Sequence, residues 1–225
     1  MKQNVQLTRG LAIFCVLYSL VFLFKIPRLL LDSQSISFYV TSIFYMILFV
    51  LGLYIFRDDF RQQLAWMKQN VLKSIFILII GYLFYMIVEL IGGLLYSWLS
   101  DAFNSSDIIL QNDSNIMNAI KILPPVFAFF IMSLAGPAVE EMFYRRFLIS
   151  TLIKYIPPWL SILLSSLLFA VLHVSSFQAS EFFNVLPHFF MGIAMGIIYY
   201  KTNNLIYPIL IHVFNNFSAL LPQFL

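Results

Sequence analysis

The run Gly136-Pro137-Ala138-Val139-Glu140-Glu141-Met142-Phe143-Tyr144-Arg145 lies inside a long apolar stretch, and its reading decides the fold. A charge at the centre of a bilayer costs on the order of 3 kcal/mol even on the gentlest insertion scale. Two carboxylates and a guanidinium within six residues therefore need a reason beyond packing. Gly136-Pro137 raises a second question, because a proline either kinks a helix or opens a new one from its first turn.

Working outward, the rest of the chain suits lipid. Of 225 residues 61% are hydrophobic and only 10% charged, with a mean hydropathy of +0.90, against about 25% charged in soluble domains. This composition predicts an all-α polytopic membrane bundle in one membrane domain, with the lipid bilayer as its constant partner. The net charge of +3 is small and scattered, without a Lys/Arg cluster, which excludes a nucleic-acid partner. The lone Cys15 excludes an intrachain disulfide and a cysteine metal cluster.

Apolar spans fall at about 10–24, 36–56, 71–99, 118–154, 158–177, 182–200 and 205–222, most near the roughly twenty residues that a bilayer requires. They predict seven transmembrane helices, or eight if the fourth breaks at Gly136-Pro137. Lys2 and Arg9 precede the first span as in a secretory signal, but no small-residue cleavage site follows, so an uncleaved first helix is expected. With a continuous fourth helix, Lys2, Arg9, Arg57, Arg61, Lys68, Lys73, Arg146, Lys154 and Lys201 share one side. Lys25, Arg28 and Lys121 fall on the other. The positive-inside rule then puts the N-terminus in the cytoplasm and the C-terminus outside. Residues 1–118 supply the N-terminal helices and a polar loop, Ser100 to Asn118, and 119–225 carry the chemical motifs. The Asn104-Ser105-Ser106 triplet carries no weight.

Adjacent positions on a helix lie about 100° apart, so Glu140 and Glu141 cannot face the same neighbour. Glu141 and Arg145, four apart, can pair. Glu140 is left without a cationic partner and is a candidate general base. Later spans add Phe169-x-x-x-His173 and His212-x-x-x-Asn216. Glu140 and His173 are equidistant from the Pro157-Pro158 turn and would be level in an antiparallel pair. A bundle gains little from burying so many ionisable and amide groups for packing alone. Gly192-x-x-x-Gly196 reads as a helix-packing face. Glu89 either pairs inside the bundle or lines a cavity, and His188 is expected at the interface.

In this order on successive helices, Glu140-Glu141-x-x-x-Arg145, Phe169-x-x-x-His173 and His212-x-x-x-Asn216 resemble the CAAX-protease and bacteriocin-processing family, also called the CPBP or Abi family. The resemblance covers about residues 120–222. It implies an intramembrane endopeptidase acting on a peptide or membrane-anchored protein, CAAX-type or tied to bacteriocin processing and self-immunity, in a bacterial cell membrane. It also implies roles: Glu140 activates water shared with His173, His212 and Asn216 hold the oxyanion, and Glu141 and Arg145 support the first motif. No cofactor is required on this reading, with zinc held by Glu140, His173 and His212 as the alternative. The absence of a Gly-x-Ser-Gly or Gly-x-Gly-Asp pattern argues against serine and aspartyl mechanisms. The competing classes are a non-catalytic immunity or scaffold protein and a proton-coupled transporter.

Overall fold

The computed structural model describes residues 8–103, 111–174, 183 and 185–224, with the backbone only at 111–113. The described residues are helical, without strands. In chain order the helices are α1 (Arg9–Leu23), α2 (Ile26–Leu30), α3 (Gln34–Ile55), α4 (Arg57–Gln69), α5 (Val71–Ala102), α6 (Gln111–Ile122), α7 (Pro125–Leu152), α8 (Pro158–Leu172), α9 (Leu186–Thr202) and α10 (Ile206–Leu220). By length and composition α3, α5 and α7 can cross a membrane, and α1 and α8 are shorter apolar helices. Lys2 and the Asn104-Ser105-Ser106 triplet lie outside the described residues.

Two expectations are corrected. The fourth span begins at Pro125, not 118: Pro124, extended at ψ 131°, separates α6 from α7, since the residue before a proline is driven out of the helical region. The polar stretch ending at Asn118 is partly helical, as α5 runs to Ala102 and α6 starts at Gln111. Gly136-Pro137 does not end the fourth span, because wide π turns at Ile131–Ala135 and Met142–Ile149 carry the chain through.

α5 is inverted relative to a helix of a soluble protein. Along α5 the apolar side chains Phe76, Ile79, Leu83, Ile87, Leu90 and Leu94 are exposed, while Ser74, Gly81, Tyr85 and Gly92 are buried. Leu, Ile and Phe thus face lipid, and small or polar residues allow close helix contact. A Cβ on Gly92 would meet Phe190 of α9. Ser161, Ser165 and Ser166 do the same for α8: Gly192 abuts Ser166, and Gly196, one turn on, abuts Ile162, one turn back, as antiparallel helices require. The Gly192-x-x-x-Gly196 face therefore packs as expected.

α4 lies between the apolar spans predicted at 36–56 and 71–99. Its acidic first turn, Asp58 and Asp59, and Lys68 in its last turn suit the helix dipole. It braces the bundle at one end. Asp59 pairs with buried Arg146 at 2.5 Å, and Gln63 accepts a hydrogen bond from the Leu205 amide at 2.9 Å beside the start of α10.

Candidate functional site

The site forms where α7 departs from α-helical geometry. In the first π turn the Gly136 amide donates to Ile131 O, five residues back, and Pro137 has no N–H for the next carbonyl, Met132 O. Asn216 of α10 supplies the missing donor, Nδ2 to Met132 O at 3.1 Å. One turn away on α10, His212 is buried against the carboxylates that follow Pro137. Further along α7, Ser165 of α8 donates to Tyr144 O at 3.0 Å. α8 is thereby set antiparallel to α7, with His173 at its end.

Glu141 is fully buried and not exposed to the cavity described below. Its Oε2 lies 2.9 Å from Arg145 Nε, and its Oε1 lies 2.9 Å from His212 Nδ1. Held against a guanidinium, the carboxylate accepts, so His212 Nδ1 carries the hydrogen and Nε2 is presented to the other side. Arg145 Nη2 also donates to Gly192 O at 3.4 Å, and the guanidinium lies 4.9 Å from the Phe169 ring centre. Charge, hydrogen bond and ring contact together compensate a cation that is only 1% exposed.

Glu140 faces elsewhere. Its Oε1 accepts from the Tyr45 hydroxyl of α3 at 2.9 Å, and its Oε2 stands 3.8 Å from His212 Nε2, too far for a direct hydrogen bond. His173 donates from Nδ1 to Phe169 O at 3.1 Å, which leaves its Nε2 for other partners. His188 stacks on His173 with ring centres 3.8 Å apart.

Glu140, His173, His212 and Asn216 all line one cavity of about 460 Å³, together with Tyr45, Glu89 and His188. The sequence-derived residues thus come together in two layers. Glu140, His173, His212 and Asn216 face the cavity, and Glu141 with Arg145 sits behind. Glu89 takes the cavity-lining alternative. Lys25 and Arg28 stand at the same cavity, and Lys25 Nζ donates to Val174 O just past His173. Among the described residues, no three His, Cys, Asp or Glu side chains converge as a metal-binding group. Tyr45 has no sequence signature: it is one of 12 tyrosines in an aromatic-rich chain.

Fold and site together define a helical membrane protein with a carboxylate and imidazoles around an internal cavity. Residues 122–218 match the family described as type II CAAX prenyl endopeptidase Rce1-like, the segment that carries the three motifs. The chain is also similar to the membrane-embedded CAAX protease MroQ of Staphylococcus aureus (strain USA300), 26% identical over 153 residues. That match takes in 65% of this chain and spans 57% of the relative's length. No solved structure shows significant similarity to the chain.

Proposed function

We propose that this protein is a membrane-embedded endopeptidase of the CAAX type, hydrolysing a peptide bond within or beside the bilayer with a water activated by Glu140. The observation that carries the reading is the convergence of Glu140, His173, His212 and Asn216, from three helices, on one cavity within a CAAX-protease family segment.

With Oε1 engaged by Tyr45, Glu140 Oε2 is the oxygen that takes a proton from water. The resulting hydroxide adds to the substrate carbonyl carbon, and its electron pair moves to the carbonyl oxygen. Asn216 spends one amide hydrogen on Met132 O and has a second for this oxyanion. His212, its Nδ1 held by Glu141, turns Nε2 towards the same oxyanion. His173 Nε2 orients the water. Collapse expels the amine, which receives the proton held by Glu140, so the carboxylate is regenerated and one water is consumed per bond cleaved.

No metal takes part in these steps, and a chelator should leave cleavage unchanged. Substrates are peptides or membrane-anchored proteins. The protein is placed in the bacterial cell membrane with a cytoplasmic N-terminus, a reading supported by the bacterial relative and the charge asymmetry of the loops.

Peptidomics of membranes carrying wild type, Glu140→Ala or His173→Ala, with and without a chelator, tests this. Peptides present with wild type should vanish with both variants at equal membrane expression. An unchanged peptide population in both would remove the protease reading and favour a non-catalytic immunity or scaffold protein.

A further inference from the structure

Every side chain assigned a part in catalysis lies within residues 122–218, yet the hydrogen bond made by Glu140 comes from outside that segment. We propose that Tyr45, on α3, is a positioning residue for Glu140: it holds Oε1 so that Oε2 is turned to the cavity and His212. α3 would thereby be part of the active site. The inference rests on the protease reading above and deepens it.

Three observations support it. The hydroxyl-to-Oε1 distance is 2.9 Å, and a hydroxyl donating to a carboxylate forms one of the stronger bonds available in a protein interior. The Tyr45 ring is itself fixed. The Phe22 ring of α1 lies 4.0 Å away between centres, and Gly136 of α7 is near enough that an added Cβ would come 3.6 Å from Tyr45 Cε1. Finally, the terminal torsion of a glutamate is broad and roughly two-fold, so an unanchored carboxylate would interchange its oxygens. The other polar neighbour of the carboxylate, His212 Nε2, stands 3.8 Å from Oε2 and does not prevent that. Tyr45 and Phe22 both line the cavity with Glu140, which places this anchor at the reaction site instead of in a remote part of the core.

A tyrosine that only satisfied its own hydroxyl would affect stability and nothing else. The test separates the two on the purified full-length protein in detergent. In pH-difference infrared spectra, Glu140→Gln identifies the Glu140 carboxyl band by removing it. Tyr45→Phe, which keeps the ring, should shift that band, as should 3,5-difluorotyrosine at position 45, which keeps ring and hydroxyl and guards against misfolding of the phenylalanine variant. A band unmoved by either change overturns the proposal.

The kinetic arm uses a quenched-fluorescent copy of the bond found cleaved in the membrane comparison. Tyr45→Phe should lower kcat by roughly 10-fold to 100-fold, the worth of one hydrogen bond to a charged group, with KM within about twofold. In the Glu140→Gln background the same change should cost nothing further. A loss confined to KM would make Tyr45 a substrate contact and overturn the positioning role. If Glu140→Gln leaves cleavage intact, the reading of Glu140 as the base that activates water fails, and the infrared arm still decides the Tyr45 contact.

Discussion

α5 and α7 are both apolar and long enough to span a bilayer, α5 the more hydrophobic of the two, but in their most apolar stretches 17% of the residues are buried in α5 and 67% in α7. The more hydrophobic helix is the more exposed one. In lipid, hydrophobicity marks the surface, and the less apolar helix is taken inside, where its ionisable groups find partners. α5 is uninterrupted α-helix over 32 residues. α7 passes through two π turns and a Gly-Pro step, and its carboxylates sit between them. Regularity accompanies the lipid face, and distortion accompanies the site.

Substitutions along the two helices would break or sharpen that contrast. The largest effect is expected inside α7: Glu140→Ala should lower the rate of peptide release by about 10³-fold or more, the upper range for removing a general base, measured as product per unit of membrane-inserted protein. Arg145→Ala should cost about 3–5 kcal/mol in an unfolding titration in mixed detergent, because it strands the Glu141 carboxylate in the interior. At the packing seam, Gly192→Ala should cost about 1–3 kcal/mol in the same titration, since the new Cβ would lie 2.9 Å from Ser166 Cα and backbone must move. On α5, Ile87→Leu, at a position 60% exposed to lipid, should change stability by less than about 0.5 kcal/mol. A cost at Ile87 equal to that at Gly192 would erase the distinction between the two helices.

The apolar spans were legible in the sequence because lipid imposes a length and composition that few other contexts require. Boundaries were less so: Pro124 sets the start of α7, yet an apolar window reads straight across it. The four cavity-facing groups were legible for the same reason as the charges, since Glu140, His173, His212 and Asn216 interrupt stretches that have no other use for them. Arg146 shows the limit. Grouped in the sequence with surface charges, it is buried against Asp59, a pairing of residues 87 positions apart that no local spacing encodes. Tyr45 is hidden for a different reason, because tyrosine is ordinary in a membrane helix and only its hydroxyl partner distinguishes it.

The bond from Asn216 to Met132 O ties the orientation of one span to the backbone chemistry of another. Because Pro137 withholds an amide hydrogen, α10 is latched by an amide side chain and resists rolling about its long axis. His212, on the same helical stripe, inherits its aim from that latch. A residue with an N–H at position 137 would let the carbonyl be claimed locally, and the imidazole would lose its bearing without any change at position 212.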